Sequence, residues 1–357
     1  MEWSILLQHL LDLLVKERMS NMAVKKKKKN SCTAAAPCST ANLGPGYDVF
    51  GLALDALEDK VMISKALSKH GYENDRGSNN NKITIKMYKN ELAIPEAAEF
   101  NSAGLVIKKM MHDFSIKDSL DVKVVKGIPA GYGMGSSAAS ASAAAMAFNE
   151  LYGLRADKNK LVEYAAEGEV ASAGAKHYDN VSASLLGGFV ICKNAGTTAN
   201  NTPQFVRMDP PRNLMLVVAL PMIEVPKKKT EVARSVLPKE VPLRSVVHNV
   251  SGAATIVAGF AFKDVEMIAS GIDDTIVEPA RKHLIPGYDN IKQGAIGAGA
   301  LAVTISGAGP SMIAFLKNNK NARKVASAMA EGFDSAGIKK TRTFVCRPSG
   351  GSRVIYR

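Results

Sequence analysis

The chain has 357 residues, 46% of them hydrophobic and 22% charged. That is ordinary for a globular protein and, at roughly 150 residues per domain, leaves room for about two domains. Its 46 basic and 33 acidic residues give a net charge of +13, but apart from the run at Lys25 to Lys29 and the triplet Lys227, Lys228 and Lys229 the basic residues are scattered, which weighs against nucleic acid as a partner and suits an enzyme for small anionic substrates.

The first thirty residues differ from the rest. An apolar run at 5–15 is broken by Gln8, His9 and Asp12, so it is too short and too polar to span a membrane. Its positive charges follow the run, the reverse of a signal peptide. Residues 1–30 read as a poorly ordered extension, with Met19 or Met22 as alternative starts, against the competing reading of an amphipathic docking helix. From Ser31 onward the patterning predicts strands at 61–64 and 83–87 around a polar loop at 71–81. A helix at 101–114 and a strand at 120–125 come next, then helices at 136–152 and 158–173. Strands at 187–192 and 214–220 flank a polar loop at 193–204, read as the boundary between domains at 31–205 and 206–357. Beyond it the pattern predicts a helix at 246–262, strands at 302–305 and 312–316, a helix at 322–336, and strands near Thr343 and Val354. Such alternation argues for an α+β or mixed α/β protein and against a barrel. Cys32, Cys38, Cys192 and Cys346 have no CxxC spacing and no nearby histidine. They read as reduced thiols of a cytoplasmic protein, not as a zinc site.

One segment carries the clearest chemistry. Pro129-Ala130-Gly131-Tyr132-Gly133-Met134-Gly135-Ser136-Ser137-Ala138-Ala139 lies between a predicted strand and a predicted helix. Glycines at alternate positions let the backbone turn its N–H groups onto phosphate oxygens. A helix beginning at Ser136 or Ser137 adds unpaired N–H groups and a positive dipole end. A serine hydroxyl there is also suited to hold magnesium. A dinucleotide-binding turn is the rival, but it belongs near the start of its domain with an acidic residue about 20 positions on. No GxxxxGK[ST] occurs. A second glycine turn spans Ser306 to Ser311. Between the two lie Glu167, Glu169, His177, Asp179 and Asn180, a segment whose carboxylates are fit to complete a magnesium site. Arg234 and Arg281 are candidates to clamp a carboxylate.

Three ordered blocks, Ala36-Pro-Cys-Ser-Thr-Ala-Asn-Leu-Gly-Pro-Gly-Tyr-Asp48, the loop at 129–140, and Ile305-Ser-Gly-Ala-Gly-Pro-Ser311, resemble those of the GHMP kinases. The fuller Asn42 to Asp48 block and the Gly174 to Asn180 segment are similar to the branch that phosphorylates L-homoserine. The resemblance covers residues 32–356. It implies an N-terminal ATP-binding domain with a left-handed β-α-β unit and a ferredoxin-like C-terminal domain, with the site between them. It further implies ATP and Mg2+, transfer of the γ-phosphoryl group to the L-homoserine hydroxyl, and a step of threonine biosynthesis. Ser137 and Glu169 match the metal pair, and Asn42, Asp48, His177, Asn180, Arg234 and Arg281 the substrate contacts. Thr230 matches a position near the reacting hydroxyl, and Asp179 or Asn180 the region where some relatives place a base. Asp48 would face the substrate ammonium and the two arginines its carboxylate. Tyr132 and Met134 depart from the smaller residues usual in the loop and point to the adenine or ribose pocket. The alternative acceptor is another small alcohol of shikimate or mevalonate type. No nucleic acid or membrane partner is expected, and a homodimer is left open.

Overall fold

The structure, a computed structural model, describes residues 29–66, 81–89, 91, 93–193, 203–226 and 229–356. The extension up to residue 28, the polar loop at 71–80, most of the loop at 193–204, and Lys227 and Lys228 lie outside the described residues.

The chain opens with two strands that the patterning largely missed. β1 (Ser31–Ala41) is built of small residues and buried along nearly its whole length, so no alternation marks it. β2 (Phe50–Lys65) pairs back on it antiparallel, with a register shift between Pro37 and Cys38. The segment from Asn42 to Val49 is therefore the hairpin connection, closed by the Asn42 N–H on the Phe50 carbonyl at 2.8 Å. β3 (Ile83–Tyr88), α1 (Ser102–Asp113) and β4 (Leu120–Val125) form a β-α-β unit, since β3 and β4 pair in parallel. Asn101 caps α1 by accepting from the N–H groups of Ala103 and Gly104, as an N-cap asparagine does.

α2 (Ser136–Tyr152) follows, alanine-rich and buried on most sides against β1 and β2. The helix predicted at 158–173 is broken. α3 (Lys158–Glu167) stops at Gly168, where a Cβ would crowd Ala141 and the Ser102 carbonyl, and α4 (Val170–Ala173) is a single turn. α5 (Asp179–Leu186) then presses on the hairpin so closely that a Cβ at Gly51 would overlap the Asp179 carbonyl. β5 (Phe189–Lys193) and β6 (Gln204–Met208) pair with each other and join the first sheet through β2. The chain thus leaves that sheet only after Met208. The sheet order is β11-β1-β2-β4-β3, with β5 and β6 branching from β2.

The second sheet holds β7 (Met215–Pro221), β8 (Ala302–Ile305), β9 (Met312–Leu316) and β10 (Thr341–Cys346) in the order β10-β7-β9-β8, all antiparallel. The segment between β7 and β8 contains α6 (Lys229–Ser235), α7 (Leu243–Phe262), α8 (Val265–Ser270), α9 (Val277–Arg281) and α10 (Tyr288–Gly297). α11 (Ala322–Ser335) links β9 to β10. α10 and α11 cover the sheet over Val217, Ile291, Val303, Met329 and Phe333. This strand order and alternation give the ferredoxin-like layout implied by the resemblance. The final strand, β11 (Arg353–Tyr356), returns to pair with β1 in the first sheet. α7 is long and apolar enough to cross a membrane by length and composition, yet its Phe260 stacks on Phe189 of the first sheet with ring centroids 3.9 Å apart. All four cysteines are free and buried.

Candidate active site

The loop between β4 and α2 is fixed by its glycines. Gly131, Gly133 and Gly135 have φ of 83°, 81° and 64°, a region that side chains rarely adopt. A Cβ on Gly133 would overlap the Ser306 carbonyl, and one on Gly135 the Ser39 hydroxyl. These close approaches bring the three blocks together. Ser306 Oγ donates to the Gly133 carbonyl at 2.8 Å, and Asn42 Nδ2 to the Gly307 carbonyl at 2.8 Å. The Ser311 N–H reaches the Tyr132 carbonyl at 3.3 Å.

Beneath the loop lies a brace that sequence reading missed. Asp59, fully buried on β2, pairs with Lys126 and accepts from the N–H groups of Gly127 and Ile128 at 2.9 and 3.0 Å. Ser140 Oγ donates to the same carboxylate at 2.7 Å, while Lys126 Nζ also reaches the Ser136 carbonyl at 3.0 Å. The partners are 67 residues apart. Lys126 standing three positions before Pro129 was the only available signal.

At the start of α2, Ser137 Oγ donates to Glu169 Oε1 at 2.6 Å. Glu169 is held by the bend between α3 and α4, and burial pushes its carboxyl up to about 7 against that hydrogen bond. A buried carboxylate so penalised is stabilised in its ionised form by a nearby cation. Among the described residues no group of three or more His, Cys, Asp or Glu could hold a metal. One carboxylate and one hydroxyl beside a phosphate loop nevertheless fit magnesium, which takes most of its other ligands from phosphate and water.

The loop, Ser137 and Glu169 line one side of a cleft of about 350 Å3; Asn42, Asp48, His177, Asp179, Asn180, Thr230, Arg234 and Arg281 line the rest. Arg234 Nη2 donates to both Asp48 oxygens at 2.8 and 2.9 Å. The two groups expected to take opposite ends of a substrate are thus joined to each other. Asp48 adopts φ 58° and Asn42 φ 73°, the latter a conformation that asparagine tolerates. Asn42 Oδ1 accepts from the Asp48 N–H at 3.1 Å. Asn180 Oδ1 accepts from Ser39 Oγ at 2.9 Å. Burial, and then the charge of Asp48, pushes the Asp179 carboxyl up to about 6. Burial, and then the Arg234 charge, lowers the His177 pKa, favouring a neutral ring. Arg281 Nε is anchored on the Ala233 carbonyl at 2.9 Å. Two further cleft residues, Tyr47 and Lys229, were not singled out, though each adjoins one that was; Lys229 Nζ donates to the Gly309 carbonyl.

A second cavity of about 350 Å3 lies behind the loop, lined by Pro129, Ala130, Tyr132, Lys126, Ile128 and Arg342. Tyr132 reaches it while donating its hydroxyl to the Ile223 carbonyl at 2.8 Å. Met134 does not: it is 1% exposed and packs in the core, which corrects the expectation of a side-chain contact with the nucleotide. Ala138 and Ala139 are likewise fully buried and offer only their backbone.

Two sheets meeting at a glycine loop beside this cleft are, by similarity to known proteins, the architecture of a GHMP kinase. The chain matches that family's model for the GHMP kinases N terminal domain over residues 101–188 and for the GHMP kinases C terminal over 256–335. It is 38% identical over 303 residues to a homoserine kinase of Thermoplasma volcanium, covering 85% of this chain and 90% of that one. With a homoserine kinase of Methanococcus vannielii the identity is 42% over 283 residues, covering 79% and 86%. The crystal structure of a homoserine kinase from Cytophaga hutchinsonii superposes with a TM-score of 0.81 at 33% identity, over 92% of this chain and 99% of that one. The chain belongs to the homoserine kinase family.

Proposed function

We propose that this protein transfers the γ-phosphoryl group of ATP to the side-chain hydroxyl of L-homoserine, with magnesium, in the cytoplasm, as a step of threonine biosynthesis. The observation that carries this reading is the pairing of Asp48 with Arg234 beside Arg281, in the cleft that also holds the phosphate loop. A zwitterionic amino acid matches that pair. Its ammonium takes Asp48 and its carboxylate takes Arg234 and Arg281, so each charge that loses a partner gains one. Mevalonate- or shikimate-type acceptors carry a carboxylate but no ammonium, and would leave Asp48 without a cation.

In this reading the first sheet, which the chain leaves after Met208 and to which β11 returns, belongs to the nucleotide-binding domain, and the second part supplies Arg234 and Arg281 of the acceptor clamp. The loop backbone from Pro129 to Ala139 and the N-terminus of α2 bind the polyphosphate. Ser137 and Glu169 hold magnesium, which would supply charge neutralisation on the phosphate oxygens. Asn42 and His177 border the acceptor, and Asn180 and Thr230 orient its hydroxyl. Phosphoryl transfer passes through a loose transition state, so alignment and charge account for most of the rate. In this reading Asp179, whose carboxyl burial pushes up to about 6, receives the hydroxyl proton late in the transfer.

Supplying purified protein with ATP, magnesium and, separately, homoserine, mevalonate, shikimate or galactose tests the reading. Phosphohomoserine is the expected product by 31P NMR. Product from another alcohol and none from homoserine would overturn the acceptor while leaving a kinase.

A further inference from the structure

Tyr47 closes the hairpin connection between β1 and β2, next to Asp48. The guanidinium carbons of Arg234 and Arg281 lie 5.4 and 5.0 Å from its ring centroid, so the aromatic ring moderates the repulsion of two like charges. Its hydroxyl is buried with no acceptor for its proton among the described residues, and Arg234 Nε is likewise unmatched. Arg281 approaches the hydroxyl, but a guanidinium only donates, so the phenolic proton still lacks an acceptor. Burial, and then the charge of Asp48, holds the phenol above its ordinary pKa of 10.0, so it remains a donor at neutral pH. Leaving a buried donor unmatched is unfavourable, and an acceptor that arrives with the ligand relieves that cost.

We propose that Tyr47 is a specificity-determining residue whose hydroxyl donates a hydrogen bond to the substrate carboxylate, completing the clamp of Arg234 and Arg281. The carboxylate is the fitting acceptor because the two guanidiniums that flank the ring draw negative charge to that spot. This inference rests on the proposed amino-acid acceptor and adds a third donor to its binding.

The test is Tyr47→Phe, which keeps the ring and removes only the hydroxyl. With homoserine the variant is expected to show a KM raised roughly tenfold to a hundredfold, the range for a hydrogen bond to a charged group, with the KM for ATP unchanged. L-2-Aminobutyrate, which keeps the carboxylate but lacks the hydroxyl, is expected to lose inhibitory strength in parallel. 3-Amino-1-propanol, which lacks the carboxylate, is expected to inhibit wild type and variant equally. The unliganded variant is expected to melt no lower than wild type, since a buried unmatched donor has been removed; a lower melting point would mark a structural role instead. An unchanged KM for homoserine, or a loss confined to 3-amino-1-propanol, would overturn the proposal. Wild-type turnover of homoserine is measured first: its absence overturns the acceptor reading, whereas turnover with an indifferent variant overturns the role of Tyr47 alone.

Discussion

Lys229 donates to the Gly309 carbonyl at the edge of the cleft, and desolvation, followed by the Arg281 charge, brings its pKa from 10.5 down to about 7. The unfolded chain therefore binds this proton more readily than the folded one between those values, so stability rises with pH across that window. The linked cost is full below about 7 and fades toward 10.5. Because the side chain is only half-buried, solvent screens part of it, and Lys229→Met is expected to stabilise the unliganded protein by about 1 kcal/mol at pH 6. Thermal unfolding at pH 6 and pH 10 checks this, with little gain expected at the higher value. The same variant is expected to lose part of the stabilisation that ATP gives wild type. Glu169 makes the complementary case. Glu169→Gln keeps a polar side chain of the same shape but removes the charge. A fall in kcat of roughly a hundredfold to a thousandfold is expected, typical of losing one electrostatic contact in a reaction centre. A magnesium titration should show that no concentration restores the rate.

At the scale of elements, the phosphate loop and α9 are each held by a single buried aspartate. Asp59 ties the end of β4 and the first turns of α2 to β2 through Lys126, Ser140 and two backbone N–H groups. Asp59→Ala leaves the Lys126 ammonium buried and unpaired, a loss of about 3–5 kcal/mol. Joint replacement by Leu and Met is expected to recover much of that in urea unfolding while still weakening ATP binding. Asp274 performs the parallel task for α9, accepting from the N–H groups of Ile276, Val277 and Glu278 at 2.8, 3.1 and 2.8 Å. α9 ends on Arg281, so the cap also sets where that guanidinium stands. Asp274→Ala is expected to cost about 1–2 kcal/mol of stability and to raise the KM for homoserine more than that for ATP.

Across the whole molecule, what could be read in advance was local. The spacing around β4, α2, β8, β9 and α11 predicted those elements within a residue or so of their bounds. Each of the three blocks contributes residues to the cleft lining, among them Asn42 and Asp48, the loop from Ala130, and Gly307. What escaped was set by partners distant in sequence. β1 is covered on both faces and carries no period. α3 ends at Gly168, whose right-handed backbone would also suit a continuing helix, and it is close packing against Ala141 and the Ser102 carbonyl that requires a glycine there. The pairing of Asp48 with Arg234 spans 186 positions, and nothing in either neighbourhood announces that they neutralise each other before a ligand arrives.

The pairing of β11 with β1 carries this non-locality furthest. Thr33 lies opposite Tyr356 and Ala35 opposite Arg353, so β1 has one neighbour from its own hairpin and the other from a segment made more than three hundred codons later. On the ribosome, the first sheet can assemble its hairpin, its β-α-β unit and the bed for the glycine loop, but β1 must wait as an exposed edge until every strand of the second sheet has been synthesised. Contacts of such separation are slow to form, and an unpaired edge invites pairing with other chains. Chains truncated before residue 350, which lack β11, are therefore expected to be captured by holdase chaperones, whereas the full chain, with β11 paired on β1, is not.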